Sequence, residues 1–346
     1  MNTAAGAVAL MLGLALSLGA QSAASGPQEL NTTVEPLAGE NLRGQCFFEL
    51  WVPGAIERLR SVWITYDRGY DVMRYYTDPE VRAFARDNAI ALMLAHQCPA
   101  ISPPTGEQGE MDMDMSRGVA RSIFTALDDF ARQSDHPEIS SAKLILLGFS
   151  GIGAMFGHFV QYAPNRVVAA ILANPGQTDP YGMKDMNLSA DALRVPQFII
   201  VGGIDDRPGT QLPFDYFRRH RERSAPWVFL LQNGVPHCCV INAKNLIIEW
   251  LREMIELRKP SADKPLRPID ARKGWVGFIR PCDPNGRDSK GESLWNVCAA
   301  SVQRADDRPP SDELTAAWFP ANRLALDWLA FIREPKHPIN SFPGRK

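Results

Sequence analysis

Lys143-Leu144-Ile145-Leu146-Leu147-Gly148-Phe149-Ser150-Gly151-Ile152-Gly153 is the stretch on which the reading of the whole chain turns. Its opening residues, apolar after Lys143, have the composition of a strand buried on both faces. They run directly into the turn, and Ala154, Met155, Phe156, Phe159 and Val160 then follow as a helix. Ser150 is left at the tip of a sharp strand-to-helix turn. A turn this strained needs small neighbours around its tip, and Gly148 and Gly151 supply them. The usual pattern for such a turn is G-x-S-x-G; here Ile152 takes the fifth position, and a glycine follows at 153.

Working outward, further β-branched or aromatic runs recur at Cys46–Val52, Ser61–Tyr66, Ile90–Leu94, Val167–Ala173, Gln197–Val201 and Trp227–Leu231. Amphipathic stretches separate them. Val119, Ile123, Phe124, Leu127 and Phe130 make one helical stripe, and Ile247, Trp250, Leu251, Met254 and Ile255 another. Strands alternating with helices predict an α/β fold, a mostly parallel sheet with helices on both faces. Lys259-Pro260-Ser261-Ala262-Asp263-Lys264-Pro265 reads as a linker. Beyond it the pattern is irregular and carries Trp275, Trp295, Trp318 and Trp328, with Leu324, Trp328, Phe331 and Ile332 forming a last helical stripe. These tryptophans could form a platform for sugar rings or polymer, but packing of the tail on the sheet domain is the favoured expectation.

The chain has 346 residues, 45% hydrophobic and 22% charged, with a net charge of −2. That is enough to bury a large core without metals or disulfides as its main support. A disordered chain or a small disulfide scaffold is excluded, and no basic field recommends nucleic acid or an anionic membrane as a partner. The apolar run Ala7–Gly19, followed by small residues at Ser22 and Ala24, reads as an export signal spanning residues 1–24, although no Lys or Arg precedes it. The mature protein is expected to be secreted or periplasmic, without stable membrane insertion. Six cysteines in an exported chain suggest disulfides, and Cys282–Cys298 is the first choice of pair. His237-Cys238-Cys239 is the only Cys/His cluster, and adjacent ligands suit one tetrahedral ion poorly, so no metal is expected. Met111-Asp112-Met113-Asp114-Met115 reads as an acidic helix start.

The Ser150 turn resembles the nucleophile elbow of the α/β-hydrolase superfamily. Phe47-Phe48-Glu49-Leu50-Trp51-Val52-Pro53 resembles the opening strand of secreted polyester-depolymerase and feruloyl-esterase-like members, and His136-Pro137-Glu138-Ile139 their helix–strand junction. The likeness spans residues 45–257. It implies a hydrolase domain over 40–258 and, over 259–346, a linker and an extension packing on or near it.

A hydroxyl is a poor nucleophile near neutral pH, so Ser150 needs a base, and the base needs an orienting carboxylate. In this superfamily they follow in the order Ser, acid, His. His237 lies after a strand and a turn and before a long helix, where the base belongs. His220, in a basic helical run, reads as a solvated helix residue, and His337 as part of a polar tail. His96 and His158 read as structural histidines. For the acid, Gly202-Gly203-Ile204-Asp205 matches the superfamily's Gly-x-x-Asp, with Asp206 and Asp179 as alternatives. An oxyanion requires two backbone N–H donors, expected from Gly151 and from Tyr70, with Gly69 as a lesser candidate. Arg68 and Asp67 are expected to pair as a salt bridge shaping that loop.

The reading that results is a serine carboxylic-ester hydrolase acting through an acyl-enzyme on Ser150, without a cofactor. Only about 20 residues connect Ala173 to Val195, which leaves little room for a lid and suits a small-molecule or polymer-linked ester. The alternatives are a prolyl-oligopeptidase-like serine peptidase, and a non-catalytic carbohydrate- or wall-binding protein on the same fold. The same acyl-enzyme captured by an alcohol would give acyl transfer.

Overall fold

The computed structural model describes residues 26–68, 70–96, 98, 114–176, 187–237, 240–281, 295, 297–307 and 315–339. In chain order the strands are β1 (Gln28–Val34), β2 (Cys46–Val52), β3 (Ser61–Tyr66), β4 (Ile90–Ala95), β5 (Lys143–Phe149), β6 (Val167–Ala173), β7 (Gln197–Ile204), β8 (Val228–Pro236), β9 (Trp275–Pro281), β10 (Val297–Arg304) and β11 (Thr315–Phe319). The helices are α1 (Tyr70–Arg74), α2 (Pro79–Asp87), α3 (Val119–Gln133), α4 (Gly151–Tyr162), α5 (Ala190–Leu193), α6 (Gln211–Arg221), α7 (Lys244–Arg258) and α8 (Asn322–Arg333).

Among the described residues, β1 to β8 form one sheet in the order β1-β2-β4-β3-β5-β6-β7-β8. The strands from β3 to β8 are mutually parallel, and β1 and β2 run antiparallel at one edge. This is the α/β-hydrolase architecture. Strands β3, β4 and β6 are buried at every position, which explains their unbroken apolar runs. The chain passes from β3 to β4 on one side and then crosses to β5 on the other. A crevice therefore opens between the C-terminal ends of β3 and β5, the topological switch point where open α/β sheets bind ligands.

Local sequence sets the helix boundaries that matter here. Asp78 caps α2, accepting from the N–H groups of Glu80 and Val81, with Pro79 at the first position. Asp114 accepts from Ser116 N–H at 2.9 Å, so the described end of the acidic Met-Asp run does start a short helical turn. Helix α7 ends on Lys259 in the left-handed region (φ 46°), at the head of the segment that sequence marks as a linker.

Four features differ from expectation or add to it. Strand β1 lies upstream of residue 40, where the sequence reading opens the domain. Its residues alternate between half-buried and exposed, so a polar edge strand carries little apolar signal. The irregular tail contains a three-stranded antiparallel sheet, β10-β9-β11. A disulfide joins Cys46 to Cys98, with Cα atoms 5.0 Å apart, and ties the start of β2 to the end of β4. Of the expected Cys282–Cys298 pair, Cys282 lies outside the described residues, as do Cys238, Cys239 and the proposed signal segment. His220 and His337 are buried rather than solvated. His220 packs between Tyr216 and Trp227, and His337 stacks on Phe331 with ring centroids 4.0 Å apart.

The tail packs on the open edge of the large sheet. Trp318 N–H donates to Trp227 O at 2.8 Å, Trp328 Nε1–H to Phe229 O at 2.8 Å, and His337 N–H to Asn233 O at 2.9 Å. The indoles of Trp295, Trp318 and Trp328 are buried, so they are core side chains and offer no open platform. Glycine is required at 277, because a Cβ there would fall 2.3 Å from the Trp328 ring.

Candidate active site

The elbow is built as its sequence implies. Ser150 ends β5 and opens α4 at φ 54° and ψ −124°, a conformation that non-glycine residues adopt only when the surroundings hold it. Its N–H donates to Ala173 O at 2.9 Å, which fastens the turn to the neighbouring strand β6. Gly148 is needed for close approach: a Cβ there would lie 2.6 Å from Ile152 O. The departure at Ile152 is accommodated one residue on. Ile152 is buried, and Gly153 supplies the close contact instead, facing Gly148 O and Pro175 at little more than 3 Å from an added Cβ (3.1 and 3.2 Å).

His237 follows the last residue of β8, and Asp205 the last residue of β7. Asp205 Oδ2 lies 2.9 Å from His237 Nδ1, and His237 Nε2 lies 2.9 Å from Ser150 Oγ. An ionised carboxylate only accepts, so the Nδ1 position carries the proton and Nε2 is free to accept from the serine hydroxyl. The other oxygen of Asp205 accepts from Arg207 N–H at 2.9 Å, so both of its oxygens have donors. Asp205 and His237 are buried, whereas Asp206 is exposed. The structure thus brings Ser150, His237 and Asp205 into one hydrogen-bonded line and leaves Asp206 outside it. Asp179 lies outside the described residues.

Asn174, which sequence reading passes over as part of a turn, ties this line together. It follows β6 at φ 44°, in the left-handed region that Asn tolerates better than most residues. Its Nδ2 donates to His237 O at 2.6 Å, and its Oδ1 accepts from Gly202 N–H at 3.0 Å. One buried amide therefore joins the strand that carries Asp205 to the residue that carries the imidazole. Gln232 closes the same loop from within, donating to Val240 O at 3.0 Å and accepting from Asn242 N–H at 2.7 Å. Asn233 fixes it from outside, donating to Ile332 O at 2.9 Å and Glu334 O at 2.6 Å. On the acid side Trp295 N–H donates to Gly203 O at 2.8 Å. The tail thus touches the loops bearing both the acid and the base. The Phe149 ring packs on His237 with centroids 5.2 Å apart.

Gly151, directly after Ser150, is the first residue of α4, and Tyr70 is the first of α1, the helix that follows β3. Gly69 lies outside the described residues. Helix α1 is anchored to the His237 loop by Asp71, whose Oδ2 accepts from Ile241 N–H at 3.1 Å. The expected Asp67–Arg68 salt bridge does not form. Asp67 instead faces His96, whose Nδ1 lies 3.1 Å from Asp67 Oδ2 and whose Nε2 lies 2.8 Å from Glu49 Oε1. His96 reaches the loop after β3 from the end of β4 and takes the place beside Asp67 that sequence reading assigns to Arg68. Among the described residues no group of three or more His, Cys, Asp or Glu side chains could hold a metal ion, and no helix is long and apolar enough to cross a membrane.

No known family profile matches the chain, and no curated protein matches it. Solved structures similar to it include an esterase from Pseudomonas putida ECU1011, at 12% identity and a TM-score of 0.39, over 62% of this chain and 75% of that one. Est1E from Butyrivibrio proteoclasticus is 14% identical with a TM-score of 0.42, over 67% of this chain and all of that one. An S-formylglutathione hydrolase from Staphylococcus aureus is 11% identical with a TM-score of 0.44, over 67% of this chain and all of that one. Likenesses this distant say nothing of what this chain acts on.

Proposed function

We propose that the chain is a secreted serine hydrolase that cleaves carboxylic esters. The observation that carries this reading is the hydrogen-bonded line from Asp205 through His237 to a strained Ser150. A surface serine has no need of a positive φ, and a structural histidine has no need of a buried carboxylate on one nitrogen and a hydroxyl on the other.

In this reading Ser150 Oγ attacks the acyl carbon while its proton passes to His237 Nε2. Asp205 holds the ring and stabilises the imidazolium. The oxyanion is taken by the backbone N–H groups of Gly151 and Tyr70. The carbon–oxygen bond to the alcohol breaks, and the leaving oxygen takes the proton from Nε2. Water then adds to the acyl-enzyme by the same route in reverse and frees the acid. The chemistry requires no cofactor, and the substrate is a small-molecule or polymer-linked ester. The apolar run Ala7–Gly19 and the Cys46–Cys98 disulfide support export.

The test is hydrolysis of p-nitrophenyl esters of graded acyl length by the chain from Ser25, beside labelling by a fluorophosphonate. The expected result is turnover and labelling in the wild type, with both lost in Ser150→Ala while circular dichroism is unchanged. Turnover that survives Ser150→Ala, or a wild type that neither turns over nor labels, would overturn the assignment. Labelling without ester turnover would favour the peptidase alternative.

A further inference from the structure

The loop between β3 and α1 carries a charge that the hydrolytic cycle does not use. Arg68 is half-buried there. Its neighbour Asp67 is turned away to His96, Glu49 is bound to the same imidazole, and Asp71 accepts from Ile241 N–H. Among the described residues no carboxylate pairs with Arg68. The charge that does act on it is a second cation: burial, and then the Arg43 guanidinium, hold the Arg68 pKa below its ordinary value. Both cations sit on fixed backbone. Arg43 N–H donates to Cys98 O at 2.8 Å, beside the Cys46–Cys98 disulfide, and Asp67 N–H donates to Ala95 O at 3.0 Å.

The position of this charge matters as much as its lack of a partner. Strands β3 and β5 are parallel neighbours, and Thr65 pairs with Leu147. Arg68 and Ser150 both lie three residues beyond that pair, on opposite lips of the crevice at the switch point. A guanidinium taken partly out of water, with no counter-charge among the described residues and another guanidinium nearby, gains from binding an anion. Its planar fork matches a carboxylate bidentately.

We infer that Arg68 forms an anion subsite of this active site and that the preferred substrate is an ester bearing a free carboxylate. This rests on the esterase reading above, and Arg43, more exposed, adds field rather than contact. The subsite selects substrate; it takes no part in moving protons.

The experiment compares kcat/KM for phenyl hydrogen glutarate with that for phenyl hexanoate, a neutral ester of similar length, in the wild type, Arg68→Gln and Arg68→Lys. The wild type is expected to favour the carboxylate ester by about tenfold or more, the scale of one charge-assisted hydrogen-bonded pair. Arg68→Gln is expected to lower that ratio by about the same factor, and Arg68→Lys to retain part of it, since an ammonium keeps the charge and loses the fork. A wild type that prefers the neutral ester, or a ratio unmoved by Arg68→Gln, overturns the inference. If neither ester turns over, the esterase reading fails separately. Thermal unfolding with glutarate at constant ionic strength then reads the subsite alone: a Tm rise in the wild type that Arg68→Gln abolishes supports it, and no rise in the wild type overturns it.

Discussion

At the scale of single residues, the separation of Asp205 from Asp206 is set by one peptide of backbone. Asp205 is buried against the imidazole and accepts from Arg207 N–H, while Asp206 points to solvent. Asp205→Asn replaces an acceptor-only carboxylate by an amide that can also donate, so the tautomer of His237 is no longer fixed, and kcat is expected to fall by about 10⁴-fold. Asp206→Asn is expected to change it less than about twofold, the scale of a surface substitution within ~0.5 kcal/mol. Steady-state kinetics on the two variants checks both. Asn174 makes a different prediction. Asn174→Ala strands the Gly202 N–H and the His237 carbonyl in the interior, at a cost of about 1–3 kcal/mol for each group left unpaired. It also loosens the base against the acid, so kcat is expected to fall about 10- to 100-fold while KM changes little. Ser150, Asp205 and His237 were legible because the order of nucleophile, acid and base follows strand ends, and strand ends can be read from apolar runs. Asn174 and Gln232 were not, because a side-chain amide before a proline or inside a strand carries no charge and no period. Nothing local distinguishes Asn174-Pro175 from an ordinary turn; only the approach of β7 and the His237 loop gives the amide its partners. Arg68 was visible as a charge but was assigned to Asp67, since the reach of His96 from β4 is a property of the folded sheet.

At the scale of elements, strands β3, β4 and β6 could be read directly because burial on both faces removes polar residues from them. Strand β1 escaped for the opposite reason: half of its residues face water, and Gln28-Glu29-Leu30-Asn31-Thr32-Thr33-Val34 resembles a polar segment until β2 is beside it. Strands β9 to β11 escaped because they are antiparallel and interrupted by long connections, with small residues such as Ala299 and Ala300 where a strand pattern would need larger ones. The Cys46–Cys98 bridge was not legible because nearness in sequence is a poor guide to pairing: the two residues are 52 apart and become neighbours only through the antiparallel β2–β4 register. That bridge closes a long loop, so Cys46→Ala/Cys98→Ala is expected to lower stability by up to about 4 kcal/mol in a chain-entropy account. Urea denaturation of the double variant measures it. The effect on the ester-cleaving rate is expected to be smaller, since the loop after β3 keeps its Asp67–His96 and Asp67–Ala95 bonds.

At the scale of the whole molecule, the tail and the sheet domain share one apolar core, in which Trp328 lies under Gly277 and against Phe319. Trp328→Ala is expected to cost about 3–5 kcal/mol, seen as a lower midpoint in one cooperative transition rather than as separate melting of the tail. His337 adds a dependence on pH. Burial chiefly, opposed by Glu334 and by the Phe331 carbonyl, holds its pKa below the ordinary imidazole value. A group whose folded pKa is lowered binds its proton more readily when unfolded. The stabilisation is thus complete above the ordinary pKa and is lost as pH falls through the folded one. Tm is expected to drop between about pH 7 and pH 5 by more in the wild type than in His337→Phe, which keeps the stacking and removes the titration.

The contacts along the outer side of β8 have a further consequence. β8 is the last strand of its sheet, and the carbonyls of Trp227, Phe229 and Asn233 are each occupied by a donor from the tail. A bare edge strand with free carbonyls is a template on which a second chain can add its own strand. The tail therefore acts as a guard against self-association as well as a brace for the acid and base loops. Proteolytic loss of the tail would bare these three carbonyls and leave an adhesive edge, and the damage would register as turbidity.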